Sequence, residues 1–178
     1  MKQLAIDWGD LALAFDSSLG QMSHYLDMET GQVLVVTDEA RRAMEQIYEA
    51  QYDPDNPDAF DLELALSQSD FHSWQKDEVR TADFVEMHFG SRVISIPQST
   101  SYEAYAQMQD FIATIKDDRL RNQLMDATHG RGAFGRFKAI LGQHLAEEQR
   151  WHAFQDSQLS REMLRWLASV EIEPVDAL

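Results

Sequence analysis

At Met22 the hydrophobic period of the chain switches, and this switch constrains the fold more than any other feature. Ser23 to Met28 alternate approximately between polar and apolar, Glu29-Thr30-Gly31-Gln32 supply turn residues, and Val33 to Val36 form a β-branched run. A period of two on both sides of such a turn predicts a β-hairpin over 22–36, with Gly31 at a positive φ. A hairpin alone is marginal in water. The chain therefore needs a third strand, and residues 92–96, Arg92-Val93-Ile94-Ser95-Ile96, have the character to supply it before Pro97 stops them.

Most other segments carry a helical period. Leu4, Trp8, Leu11 and Phe15, spaced four, three and four, predict a short helix over 4–15. Thr37-Asp38-Glu39 is an N-cap followed by acids, opening a helix to about Tyr52 with Ala40, Met44, Ile47 and Tyr48 inward. Two prolines and three carboxylates in residues 53–58 break it. A short helix around Leu62 to Leu66 follows. A longer one over 73–89 turns Trp74, Val79, Phe84, Met87 and His88 toward the core and ends at Gly90. Thr100-Ser101-Tyr102-Glu103 has the capping-box form, with Tyr105, Met108, Phe111, Ile112 and Ile115 behind it. Further helices are expected from Asp118 to near Gly130, from Ala133 to Leu141, and from Ala146, with a separate last helix carrying Leu159, Met163, Trp166, Leu167 and Val170.

The expected fold is a single α+β domain over 1–178, mostly helical, with a small antiparallel sheet covered by six to eight helices. A chain of 178 residues can bury roughly 70% of the surface its unfolded form exposes. No cysteine is present, which excludes a disulfide framework, a thiolate metal site and a cysteine nucleophile. Asp7 and Asp10 interrupt the N-terminal apolar residues, and no window approaches the ~20 apolar residues of a membrane span. The expected location is cytoplasmic.

The formal charge of −16 opposes general binding to nucleic acid or anionic membranes. It is unevenly spread. Residues 1–115 hold 6 basic and 21 acidic residues, whereas residues 116–166 hold 9 and 7. Inside that basic third, Gly130-Arg131-Gly132-Ala133-Phe134-Gly135-Arg136-Phe137-Lys138 brings glycine, aromatic and basic residues together. A Gly-Arg-Gly turn feeding a helix offers free N–H groups, the positive end of the helix dipole and a guanidinium fork, which together suit an anion. The structural alternative makes Gly130 a helix cap and Gly132 a turn residue. Phe134, Phe137 and Leu141 are then core, and Arg131, Arg136 and Lys138 pair with the acidic part of the chain.

These residues also carry a resemblance. The motif over 130–138, with Tyr25-Leu26-Asp27, Thr30-Gly31, Ile96-Pro97, Trp151 with Phe154, and Trp166-Leu167 near Ile172-Glu173-Pro174, resembles an uncharacterised family of small acidic bacterial proteins. The resemblance implies no activity, cofactor or ligand set. It spans most of the chain and departs from the family pattern at Gly135, usually basic, and Ala139, often acidic.

Other constellations are weaker. His144, Glu148 and His152 would align on one helix face as metal ligands, although Gly142 and the restart at Ala146-Glu147-Glu148 place a helix boundary between the first two. Asp77, Glu78, Asp83 and Glu86 share one helix and read as a solvated face. Phe134, Phe137, Trp151, Phe154 and Trp166 could stack bases, but at helical spacing they read as core. No nucleophile elbow, phosphate-binding loop, dinucleotide fingerprint or His-Glu-x-x-His is present.

The expected function is a non-catalytic cytoplasmic binding or regulatory module without a cofactor. Its contact surface is Arg131, Arg136 and Lys138, shaped by Gly130 and Gly132, and its expected partner is a protein. A phosphate- or RNA-contacting accessory protein is the alternative, disfavoured by the net charge, and an enzyme of unknown reaction is the third class.

Overall fold

In the structure, a computed structural model that describes residues 1–16, 20–56 and 59–175, the chain opens on a strand, β1 (Lys2–Leu4), where the spacing predicts the start of a helix. Asp7 is the reason. Its carboxylate accepts the N–H of Asp10 at 2.9 Å and its carbonyl that of Leu11 at 3.0 Å, so helix α1 (Trp8–Asp16) begins after it. Leu4 is buried from the strand, and Leu11 and Phe15 are buried from the helix.

The hairpin forms where the alternation predicts it, as β2 (Met22–Asp27) and β3 (Val33–Thr37), antiparallel, with Tyr25 opposite Leu34. Gly31 is needed twice over. Its φ is 80°, and a Cβ there would lie 2.2 Å from the carbonyl oxygen of Ala5. Thr37 then caps α2 (Asp38–Gln51) by accepting the N–H of Ala40 at 3.0 Å, and Ala40, Met44 and Ile47 form its buried row.

Of the loop expected at 53–58, Pro57 and Asp58 lie outside the described residues. Helix α3 (Leu62–Gln68) is capped by Asp61, and α4 (Ser73–His88) ends before Gly90, whose φ is 77°. The buried row of α4 is Val79, Ala82 and Val85. Trp74 stands five residues before that row and Met87 two after it. Both are therefore turned outward, 54% and 70% exposed, in place of the inward positions expected. Strand β4 (Val93–Ser95) pairs antiparallel with β2, with Leu26 opposite Ile94, giving the sheet order β3-β2-β4. Helices α2 and α4 pack on each other, and α4 packs on β3, around Tyr25, Val36, Leu66, Val79 and Val93.

Four further helices follow. α5 (Ser101–Ala113) carries the predicted capping box, with Thr100 accepting the N–H of Glu103 and Glu103 accepting that of Thr100. α6 (Asp118–Ala127) buries Leu120 and Leu124 but leaves Met125 43% exposed. α7 (Ala133–Leu141) matches the predicted range. α8 (Leu145–Ser169) runs unbroken for 25 residues where two helices were expected, because nothing between its ends is Gly or Pro. Phe111, Phe137, Trp151 and Phe154 form an aromatic cluster with ring centroids 5.0 to 6.4 Å apart, joined by Met108, Leu124 and Leu141.

The last strand, β5 (Ile172–Pro174), pairs in parallel with β1, Lys2 opposite Ile172. The chain divides into two compact units. One comprises Met1–Pro97 and the C-terminal segment from Ile172; the other is the continuous stretch Gln98–Glu171, inserted between β4 and β5. The protein is thus α+β and mostly helical, with eight helices, a three-stranded antiparallel sheet and a two-stranded parallel pair among the described residues.

Candidate functional site

The glycine-arginine motif lies in the second unit, across the connection from α6 to α7. Helix α6 ends at Thr128, two residues earlier than a cap at Gly130 would place it. Thr128 is buried. Its hydroxyl donates to the Met125 carbonyl at 2.8 Å and accepts from Gln109 Nε2 at 2.8 Å, tying this end of α6 to α5. Gly130 and Gly132 both adopt left-handed backbone, with φ of 77° and 79°, and Gly132 is the N-cap of α7. Two left-handed residues in three reverse the chain within a short span, a path that side-chain-bearing residues follow only with strain.

Arg136 locks this path. From the second turn of α7 it reaches back, donating from Nε to the Ala127 carbonyl at 3.1 Å, from Nη2 to His129 at 2.6 Å and from Nη1 to Arg131 at 2.5 Å. One guanidinium thereby satisfies carbonyls that the end of α6 and the turn would leave open. A backbone bond from Arg136 N–H to Gly132 and a His129 ring contact with the Met125 carbonyl at 2.9 Å complete the connection.

The other two basic residues are placed differently. Arg131 and Lys138 are exposed, and their side chains make no hydrogen bond or ion pair among the described residues. Lys138 sits in the last turn of α7, where the helix C-terminus favours a cation. Phe134 is 40% exposed, and so is not the core residue that its spacing suggested; Phe137 and Leu141 are buried as expected. Phe134 and Lys138 are one helical turn apart on α7, and Arg131 precedes Phe134 by three residues. The motif thus splits into an internal clamp, Arg136, and an outward set, Arg131, Phe134 and Lys138.

The tentative metal set is not assembled. His144 is the N-cap of α8, with φ −129° and ψ 74°, so its backbone lies outside the helix that carries Glu148 and His152. Among the described residues no group of three His, Asp or Glu side chains is placed to hold a metal ion.

The most perturbed ionisable groups lie in the first unit. The Arg92 guanidinium holds the Asp27 carboxyl well below the usual carboxylate range. Burial first, and then the Asp83 carboxylate, push Tyr48 up to about 12; its hydroxyl donates to Asp83 Oδ1 at 2.5 Å. His24 is lowered by burial and its Nδ1 has no hydrogen-bond partner. The carboxylates of α4, read from sequence as a solvated face, are partly engaged: Asp77 binds Arg80 at 2.7 Å and Asp83 accepts a hydrogen bond from the Tyr48 hydroxyl. Long-range partners such as Tyr48 and Asp83, 35 residues apart, have no signal in spacing.

The sequence model of the uncharacterised protein family UPF0158 matches residues 82–177, more than half of the chain and all of the motif. The chain belongs to this family. It is also similar to a UPF0158 protein of Pseudomonas aeruginosa, 24% identical over 174 residues that cover 98% of this chain and 88% of the relative. No solved structure matches. The UPF0158 description carries no reaction, ligand or partner, and no helix among the described residues is long and apolar enough to cross a membrane.

Proposed function

We propose that this UPF0158 protein is a non-catalytic cytoplasmic binding module that uses Arg131, Phe134 and Lys138 as its contact face. The division of labour in the motif carries this reading. Arg136 spends its guanidinium on three carbonyls, so the Gly130–Gly132 turn is preorganised, and two cations with a part-exposed ring between them are left without partners. A rigid turn lowers the ordering cost of binding, and an aromatic flanked by cations suits an acidic protein surface with apolar residues. The second reading, contact with single-stranded RNA, is supported by the same ring and cations, which could stack a base and hold its phosphates. The charge of −16 weighs against it.

The test compares wild type with an Arg131→Ala, Phe134→Ala, Lys138→Ala variant that leaves Arg136 in place. Both are checked by thermal melt and used to recover partners from a native lysate with and without ribonuclease. Loss of a partner by the folded variant supports the contact face, and the ribonuclease arm separates protein from RNA. Identical recovery by both proteins overturns it.

A further inference from the structure

We propose that a groove between α2 and α4, opening beside Trp74, docks an arginine-bearing segment of a partner protein. The α2/α4 pair has two lateral grooves that differ in electrostatic state. In one, of about 460 Å³, Tyr48 donates to Asp83 and Arg41 lies 3.9 Å from Glu86, leaving Glu45 as the carboxylate outside these contacts. In the other, two adjoining clefts of about 260 and 560 Å³ share Glu39, Arg42 and Glu78. There Asp38, Glu39 and Glu78 stand with one guanidinium, Arg42, and none of the four forms an ion pair among the described residues.

Ala40, Ala43, Phe71 and Val79 give the smaller cleft an apolar part, and Trp74, 54% exposed, lines the larger one. An exposed indole beside carboxylates that form no ion pair suits a guanidinium, which stacks its plane on the indole while its donors reach carboxylates in the fork geometry that an ammonium lacks. Charge complementarity selects the occupant. Residues 1–97 hold 6 basic and 19 acidic residues, so a basic segment is drawn toward this unit and an acidic one repelled. This site is independent of Arg131, Phe134 and Lys138.

The experiment titrates the full chain by calorimetry at about 150 mM salt with acetylated hexa-arginine amide, using hexa-lysine and spermine as comparison probes. Variants are Glu39→Gln/Glu78→Gln, Trp74→Ala, and Glu45→Gln/Glu49→Gln, which removes the same charge from α2 away from the groove. The expected result is that hexa-arginine binds wild type more tightly than either comparison probe. Its affinity falls about tenfold in the Glu39/Glu78 and Trp74 variants, and less than about twofold in the Glu45/Glu49 control. Equal losses in the two double variants would reduce the effect to the bulk field and overturn the proposal. So would spermine or hexa-lysine binding as tightly as hexa-arginine, affinity unchanged in Trp74→Ala, or no binding to wild type.

Discussion

Arg92 closes on Asp27 with a two-pronged contact, Nε to Oδ1 at 2.9 Å and Nη2 to Oδ2 at 2.6 Å, across 65 residues of chain. Asp27 ends β2 almost wholly buried, and its Oδ1 also accepts the N–H of Glu29 at 2.8 Å. Arg92 precedes β4, reaches Glu29 at 2.7 Å and lies 5.0 Å from the Phe84 ring centroid. The pair therefore fastens hairpin, third strand and α4 at one point. Arg92→Ala should cost about 2–4 kcal/mol, since it leaves a buried carboxylate unpaired. Arg92→Lys should restore only part of this, because an ammonium cannot fork. Urea denaturation checks both, and a loss below about 0.5 kcal/mol in Arg92→Ala would show the pair to be ornamental.

Acid should weaken the fold in two stages. His24 is depressed below its ordinary 6.5 by burial, so the unfolded chain binds the proton more readily. Stability is then full above about pH 6.5 and declines as pH falls through that value toward the folded pKa. Asp27 is depressed from 3.8, chiefly by the Arg92 hydrogen bonds, so its contribution holds above that pH and is lost on further acidification. Denaturation midpoints from pH 8 to pH 3 should show both declines, and His24→Gln should flatten the first while leaving the second. An unaltered first decline in that variant would assign it elsewhere.

Alkaline titration reads a different contact. Of the five tyrosines, Tyr48 is pushed up to about 12, so its folded form holds the proton longer than the unfolded one. The stability this gives is complete below about pH 10 and is lost as pH rises through 12. The rise in absorbance at about 295 nm that accompanies phenolate formation should show a late step near pH 12 that disappears in Tyr48→Phe. Persistence of that step would assign it to another tyrosine.

Within the 130–138 motif, substitutions should separate clamp from face. Arg136→Ala strips donors from three carbonyls and should cost about 1–3 kcal/mol, whereas Arg131→Ala and Lys138→Ala should stay within about 0.5 kcal/mol of wild type. Phe137→Ala should cost about 3–5 kcal/mol, and Phe134→Ala clearly less, because the first ring is buried and the second is 40% exposed. Thermal melts of the six proteins, wild type included, decide this; equal losses for Arg131→Ala and Arg136→Ala would dissolve the distinction.

What the sequence determined alone is local. The hairpin around Gly31, the cap at Thr37, the capping box at Thr100 and Glu103, and the bounds of α7 were all legible. Each rests on hydrogen bonds and backbone angles set within a few residues, where residue type and spacing act directly. Family membership was legible in the same way, through the motif residues themselves.

Tertiary structure decided the rest. The β1–β5 pair joins Lys2 to Ile172, residues 170 positions apart in three-residue strands too short to carry a period. Trp74, Met87 and Phe134 have the composition of core residues, yet which arc of a helix is covered depends on what packs against it. The three basic residues of the motif look alike in sequence, but one is bound to carbonyls and two are open, because the path between Gly130 and Gly132 brings those carbonyls within reach of Arg136 alone among the three. Local chemistry sets which turns and caps can form; which side chains meet is set by chain segments distant in sequence, and spacing carries no record of them.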